Sequence, residues 1–306
     1  MKKSNERNQD SDTWPNFFIV GAPKAGTTSF YYYLKEIPEI YMSPIKEPNF
    51  FSKNIMPDKK PFKPIRNKEK YLELFKNVTN EIILGEATTN YLSDHDASIL
   101  IKQVSPNAHI LICLRDPVER AFSHYLMIKN DPWIESSFHK QLEKEMNGTA
   151  DFSKPSIQLP ASFYSIDVQR FIDTFGAKNV KIIIFEEFVK QPKQTVYEIL
   201  KFLGIKYKLN NFKPEKYNAY SEIKSPGKIL KQIQKSNIVK IIGSKILSSS
   251  QKEFIKNIIF KRKKRKPKMS NEDREILKIF YNDDVQKLKT ILNRDLPWKN
   301  FSNINN

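Results

Sequence analysis

The sequence contains little of what several protein classes require. A single cysteine, Cys113, among 306 residues excludes a disulfide scaffold and favours a reducing compartment. Because there are also only four histidines, we expect no structural zinc site. No uncharged apolar run approaches the ~18 residues of a membrane helix, and Met1–Thr13 lacks the apolar stretch of a signal peptide. We therefore expect a cytoplasmic protein, either free or peripheral to a membrane.

The composition that remains is that of a folded and strongly basic chain. Hydrophobic residues make up 39%, with 21 Phe and 13 Tyr, which is enough for a core and excludes wholesale disorder. A formal net charge of +18 indicates an anionic partner. Residues 221–270 alone hold 15 Lys and Arg against two Glu. This basic cluster is either a contact for an anionic surface or a solvated helical face.

The domain organisation predicted from the chain is simple. We find no internal repeat and no long linker, so we expect one domain over residues 13–301. Residues 1–12 predict a flexible tail. Within the domain, we expect residues 226–270 to form a basic insertion that is helical or partly disordered.

Short apolar runs alternate with longer amphipathic segments over the first two hundred residues. The apolar runs predict strands at Phe17–Val20, Ile82–Leu84, His109–Leu114 and Val180–Phe185. Their near-continuous hydrophobicity predicts a parallel sheet that is buried on both faces. The amphipathic segments predict helices at Thr27–Glu36, Lys68–Lys76, Asp94–Gln103, Pro117–Lys129, Ser165–Phe175, Thr195–Leu203 and Asn271–Leu292. This alternation predicts a three-layer α/β fold, with ligands beyond the carboxyl ends of the strands.

A glycine-containing loop, Gly21-Ala22-Pro23-Lys24-Ala25-Gly26, joins the first strand to the first helix. Glycine lets the backbone approach an anion, and the helix that follows offers free N–H groups. The spacing of the two glycines matches a nucleotide P-loop, but Thr27 stands where that loop needs lysine. The lysine lies inside the loop instead, at Lys24. The other interpretation is an ordinary strand–turn–helix junction.

A second motif, Arg115-Asp116-Pro117-Val118-Glu119-Arg120-Ala121-Phe122-Ser123, follows the third predicted strand. Pro117 suits the first turn of a helix, and Asp116 can cap it. Arg115 leaves the strand and Ser123 lies two turns into the helix, so a guanidinium and a hydroxyl can converge on one phosphate. The alternative is a surface helix whose arginines pair with neighbouring carboxylates.

Together the two motifs resemble those of the sulfotransferases that use 3′-phosphoadenosine-5′-phosphosulfate (PAPS). The resemblance implies the P-loop-like form of the α/β fold, with a central parallel sheet flanked by helices, and PAPS as co-substrate without a metal. It implies that Lys24 contacts the oxygen that bridges phosphate and sulfur. It places the 3′-phosphate on Arg115 and Ser123, and the 5′-phosphosulfate on Pro23, Lys24, Ala25, Gly26, Thr27, Thr28 and Ser29.

A third segment, Lys46-Glu47-Pro48-Asn49-Phe50-Phe51, resembles the K-E-x-H-F-F segment of glycan sulfotransferases similar to heparan sulfate enzymes. A hydroxyl acceptor needs a base within reach. The resemblance implies Glu47 as that base, with Lys46 keeping it ionised and contacting the acceptor. Asn49 replaces the family's histidine. The alternative is a solvated Lys-Glu pair before an apolar anchor.

A fourth segment, Gly85-Glu86-Ala87-Thr88-Thr89-Asn90-Tyr91, resembles the part of those enzymes beside the acceptor. Ala87 stands where several of them carry lysine, and Thr89 where they carry proline. The resemblance implies acceptor contacts at Glu86 and Tyr91, and whether Glu47 or Glu86 is the base stays open.

Two later residues complete the predicted nucleotide site. Tyr164 opens a segment that resembles the family's stretch after the second motif. Lys224 stands where the family has an arginine over the nucleotide, so the charge is kept and the planar fork is lost.

Over the whole sequence, the resemblance implies transfer of the sulfuryl group from PAPS to a hydroxyl or amine, most readily on a carbohydrate or glycan, by in-line displacement. One alternative is a P-loop kinase or NTPase. Two observations argue against it: Thr27 occupies the position of the required lysine, and no strand ends in a clear acidic ligand for magnesium. The other alternative is a basic protein that binds nucleic acid or another polyanion. No nucleic-acid-binding module is recognisable, and aromatic residues are sparse among the clustered lysines. The oligomeric state is not predicted.

Overall fold

The computed structural model describes residues 13–52, 64–129, 134, 137–151, 155–207 and 267–302. The predictions for residues 1–12, for Lys224 and for the basic cluster up to residue 266 lie outside the described residues. Residues 267–270, the end of that cluster, lead directly into the last helix.

One parallel sheet forms the centre of the described structure. Its five strands lie in the order β2-β3-β1-β4-β5. They are β1 (Phe17–Gly21), β2 (Ile40–Met42), β3 (Ile83–Ala87), β4 (His109–Leu114) and β5 (Val180–Ile184). In register, Phe17 pairs with Gly85 on one side and with His109 on the other. Strands β1 and β3 are buried along their whole length, as their hydrophobicity predicts.

The helices flank this sheet, which confirms the predicted α/β class with a central parallel sheet. They are α1 (Thr27–Lys35), α2 (Lys68–Leu72), α3 (Ala97–Val104), α4 (Pro117–Ile128), α5 (Phe138–Met146), α6 (Ser165–Phe175), α7 (Phe185–Lys190), α8 (Pro192–Phe202) and α9 (Asn271–Leu292). Helix α9 packs against α4 and α6. Asp284 of α9 accepts the N–H groups of Tyr164 (2.7 Å) and Ser165 (3.1 Å), so it caps the start of α6.

The structure corrects the predicted elements in several places. Strand β2 and helices α5 and α7 were not predicted. The predicted fourth strand ends at Ile184, because Phe185 already begins α7. Helix α8 begins at Pro192, three residues before its predicted start, and proline is favoured in the first turn. After α2, residues Glu73–Phe75 form a separate 3₁₀ turn rather than a continuation of the helix.

Strand β2 matters most for the site. It pairs with β3 through Ile40 and Ile83, Tyr41 and Leu84, and Met42 and Gly85. Because β2 is parallel to β3, the chain after Met42 emerges at the same edge of the sheet as the chain after Ala87.

Candidate active site

The loop between β1 and α1 is wrapped tightly. Gly26 has φ 89°, and a Cβ atom there would lie 2.9 Å from Cδ2 of Phe185, so only glycine fits. Helix α1 begins without a side-chain cap, and its first turn carries no acidic residue. The positive end of the helix dipole therefore faces the loop without a neutralising carboxylate of its own.

Lys24 places its ammonium group within this loop. Its backbone is left-handed (φ 68°), and its Nζ donates to Sδ of Met127 on α4 at 3.5 Å. Burial lowers the pKa of Lys24, and the neighbouring cations Arg115, Lys46 and Arg120 lower it further. Within the described parts of the chain, no carboxylate forms an ion pair with this ammonium. Lys24 thus lies in a cluster of positive charge.

Arg115 lies beside Lys24, where the chain leaves β4. One terminal nitrogen, Nη1, donates to the carbonyl of Lys24 at 3.1 Å, and the guanidinium carbon lies 4.8 Å from the ring centroid of Phe185. Its Nε is buried and has no hydrogen-bond partner among the described residues. Tyr164 is fully buried and donates its hydroxyl to the carbonyl of Arg115 at 3.0 Å. Tyr164 therefore holds the backbone of Arg115.

Helix α4 begins as its sequence predicts. Asp116 Oδ1 accepts the N–H groups of Val118 (3.0 Å) and Glu119 (3.3 Å), and Pro117 occupies the first turn. Burial raises the pKa of Asp116. This cap fixes the direction in which α4 leaves the end of β4.

The face of α4 that carries Ser123 points toward the loop. Ser123 is half-buried and lies one helical turn before Met127, the contact of Lys24, so the two share a helix face. The surface-helix alternative fails for Arg120. That side chain is fully buried and donates to Ser162 Oγ and to the carbonyls of Ile157 (3.0 Å) and Gln158 (2.8 Å).

Glu47 is docked onto the end of β3. Its Oε1 lies 2.5 Å from Lys46 Nζ, and its Oε2 accepts the N–H of Thr89 at 2.8 Å. The Thr89 hydroxyl lies 3.2 Å from Oε1, and the N–H of Glu47 donates to Ala87 O at 2.9 Å. The Glu47 side chain is 24% exposed. The Glu47 carboxylate is therefore held in place by hydrogen bonds and is still accessible to solvent. It is not part of a freely solvated ion pair, as the alternative interpretation required.

Glu86 and Tyr91 lie below the surface instead. Both are fully buried. The Glu86 carboxylate accepts hydrogen bonds from the hydroxyl groups of Tyr71 (2.5 Å), Thr88 (2.6 Å) and Tyr91 (3.2 Å). Burial raises the pKa of Glu86 to about 7. This burial argues against the predicted acceptor contacts of Glu86 and Tyr91, and it leaves Glu47 as the candidate base that solvent can reach.

Sequence reasoning assigned no role to three residues that contact the site. Met127 touches Lys24, Thr89 binds the Glu47 carboxylate, and Asn49 Nδ2 donates to the carbonyl of Glu47 at 2.8 Å. The position of Thr89, two residues after a strand end, was the available signal for its role. Nothing in the local pattern distinguishes Met127 from a core methionine.

Comparison with known proteins identifies the family. A family model described as a sulfotransferase domain matches residues 15–291. The chain belongs to the sulfotransferase family. A crystal structure of a sulfotransferase from Alicyclobacillus acidocaldarius is 31% identical, with a TM-score of 0.70, and the match covers 93% of this chain and 98% of that one. This match supports the P-loop-like form of the fold.

Curated relatives of the sulfotransferase carry more specific names. Carbohydrate sulfotransferase 15 from Homo sapiens is 24% identical in an alignment of 246 positions that covers 62% of this chain and 44% of that protein. Bifunctional heparan sulfate N-deacetylase/N-sulfotransferase 4 from Mus musculus is 25% identical in an alignment of 311 positions that covers 94% of this chain and 31% of that protein. The chain thus spans less than half the length of these two relatives.

The described residues lack two further features. None of their helices is long and apolar enough to cross a membrane. Their His, Cys, Asp and Glu side chains form no group of three or more that is placed to hold a metal ion.

Proposed function

We propose that this sulfotransferase transfers the sulfuryl group of PAPS to a hydroxyl or amine of a carbohydrate. The proposal rests on the charged groups that meet at one edge of the sheet. There, Lys24 and Arg115 present cationic groups that form no ion pair with a carboxylate of the described residues, near the partly exposed carboxylate of Glu47. A cationic pocket beside a candidate base is what transfer from an anionic donor requires.

The residues present fit an anionic nucleotide. The buried Nε of Arg115 lacks a partner in the described residues, and a phosphate oxygen would supply one. The uncapped start of α1 and the cationic cluster around Lys24 offer further favourable contacts. We therefore assign the 5′-phosphosulfate of PAPS to residues 23–29, and its 3′-phosphate to Arg115 and Ser123.

Each charged residue then has a distinct task. When bound, PAPS supplies a sulfuryl group that passes to the acceptor oxygen or nitrogen as the bond to the bridging oxygen breaks. The Lys24 ammonium stabilises negative charge at that bridging oxygen, and its fixed position means that little reorganisation is needed. Glu47 takes the acceptor proton, and a positioned base of this kind contributes typically ~10²–10⁴ in rate. Lys46 and Thr89 hold the carboxylate in place.

The acceptor class rests on the segment that carries Glu47 and on the names of the relatives. Carbohydrate sulfotransferase 15 and the heparan sulfate N-sulfotransferase are named for carbohydrate acceptors. Lys46, which is 20% exposed beside Glu47, is the acceptor contact that we retain. The Lys224 contact, the role of the basic cluster and the cytoplasmic location remain predictions.

Incubation with ³⁵S-labelled PAPS and a panel of glycans, lipids and phenols tests the proposal. We expect label on a glycan. Label only on a lipid or a phenol would overturn the acceptor class. If no acceptor is labelled and PAPS does not bind, while DNA binds in a salt-dependent manner, the enzymatic proposal is overturned in favour of a polyanion-binding protein.

A further inference from the structure

The buried carboxylate of Glu86 lies beneath the segment that carries Glu47. Its two oxygens accept three hydrogen bonds, from the hydroxyl groups of Tyr71, Thr88 and Tyr91, and none of its surface is exposed. Burial of a carboxylate costs free energy unless hydrogen bonds compensate the lost solvation, as these three do in part. The mechanism proposed above gives it no task.

Two of the three hydroxyl groups connect Glu86 to the backbone of the segment. Thr88 Oγ1 lies 2.6 Å from Glu86 and accepts the N–H of Asn49 at 3.3 Å. Tyr91 Oη lies 3.2 Å from Glu86 and accepts the N–H of Phe51 at 3.3 Å. A hydroxyl has one proton, so the group that donates to the carboxylate keeps its lone pairs for the backbone N–H. An ionised Glu86 therefore sets the direction of both connections.

The segment held by these bonds is conformationally demanding. Glu47 and Asn49 both have left-handed backbones, with φ 63° and 53°. Residues other than glycine adopt this region rarely, and they stay there when the surrounding structure holds them. Asn49 also donates from Nδ2 to the carbonyl of Glu47 at 2.8 Å. Bonds that fix Asn49 and Phe51 thus fix the conformation from which the Glu47 carboxylate points.

We propose that Glu86 is a positioning residue that, through the hydroxyl groups of Thr88 and Tyr91, holds the backbone of the segment carrying Glu47. The inference rests on the proposed function, since it takes Glu47 to be the base. Glu86 itself touches neither donor nor acceptor.

A matched pair of tyrosines separates this role from a merely structural one. Tyr71 and Tyr91 are both fully buried, and both donate to Oε2 of Glu86. Of the two, Tyr91 also accepts a backbone N–H from the segment. Tyr91→Phe removes the connection, and Tyr71→Phe removes only a donor to the carboxylate. Thr88→Val removes the second connection, and Thr88→Ser retains it.

The kinetic test compares these variants in sulfate transfer. We expect Tyr91→Phe and Thr88→Val to lower kcat roughly ten- to hundred-fold, as a misplaced catalytic group does, with unchanged affinity for PAPS. Tyr71→Phe and Thr88→Ser are expected to stay within about twofold of the wild type, well below the loss expected from a misplaced catalytic group. Equal losses in Tyr71→Phe and Tyr91→Phe would overturn the proposal, because general damage to the buried cluster would then explain both. Unchanged kcat in Tyr91→Phe and Thr88→Val would overturn it as well.

Amide hydrogen exchange supplies a readout that needs no activity. Exchange at Asn49 should accelerate in Thr88→Val, and exchange at Phe51 should accelerate in Tyr91→Phe. Neither amide should change in Tyr71→Phe. If the wild-type protein transfers no sulfate, the proposed function is refuted. Amide hydrogen exchange then still tests whether Thr88 and Tyr91 connect Glu86 to the backbone of the segment. Unchanged exchange in both variants would refute the connection, even in an active enzyme.

Discussion

Replacement of Arg115 by alanine provides a selective test of the nucleotide site. Within the described part of the chain, the guanidinium makes one hydrogen bond, from Nη1 to the Lys24 carbonyl, and its buried Nε has no partner there. A 3′-phosphate bound there would add a charge-assisted, desolvated contact. Adenosine 3′,5′-bisphosphate and adenosine 5′-monophosphate differ only in that phosphate, so their affinities isolate it.

The size of the effect follows from the two kinds of interaction that are lost. The contact with a charged phosphate is worth about 1.5–3 kcal/mol, or roughly ten- to hundred-fold in affinity. Loss of the bond to Lys24 and of the packing against Phe185 loosens the loop, and this affects both nucleotides alike. The bisphosphate should therefore lose roughly ten- to hundred-fold more affinity than the monophosphate.

Isothermal titration calorimetry of both nucleotides checks this expectation, with Arg170→Ala as the control. Arg170 also has a buried Nε without a partner in the described chain, but its guanidinium pairs with Asp167 at 2.9 Å. Its replacement should leave the ratio of the two affinities unchanged. If Arg115→Ala weakens both nucleotides equally, the assignment of Arg115 to the 3′-phosphate is wrong.

Three further variants test other parts of the structure. Lys24→Ala should keep the fold, as seen by circular dichroism, and lose ~10²–10³ in turnover; near-native transfer of label would contradict the role of Lys24. Burial raises the pKa of Glu86 to about 7, above the 4.5 of an ordinary glutamate, so the folded state binds its proton more tightly than the unfolded state does. Urea denaturation should show wild-type stability, relative to Glu86→Gln, falling by up to about 3 kcal/mol as the pH rises from about 4.5 to 7, and a difference independent of pH would refute this. Asp116→Ala should lower the free energy of unfolding by about 1–2 kcal/mol through loss of the α4 cap; an unchanged urea midpoint would argue against that contribution.

The elements that sequence predicts are those with long or repeated patterns. Helices α6 and α9 have the predicted bounds because their amphipathic pattern is sustained. Strand β2 is three residues long, too short for periodicity to distinguish it from a turn. Helix α7 follows β5 without an intervening turn residue, so no local signal separates the two.

In the candidate site, too, the features that depend on neighbouring residues were predictable from the sequence, and those that depend on distant residues were not. Lys24 and Arg115 stand in motifs whose spacing is visible in the chain, and the structure brings them together. The difference between the two candidate bases is not local, because Glu86 is enclosed partly by Tyr71, fifteen residues away in sequence. Glu47 reaches the sheet edge through the unpredicted strand β2. Sequence patterns supplied both carboxylates, and only packing distinguished them.

Single-turnover transfer by Glu47→Gln tests the central claim most directly. The substitution keeps the size of the side chain and removes the basic carboxylate, so affinity for PAPS should be unchanged by calorimetry. The transfer of ³⁵S from saturating labelled PAPS to a glycan acceptor should slow by ~10²–10⁴, the usual contribution of a positioned base. Full activity in Glu47→Gln, together with loss of transfer in Glu86→Gln, would place the base elsewhere and contradict the account.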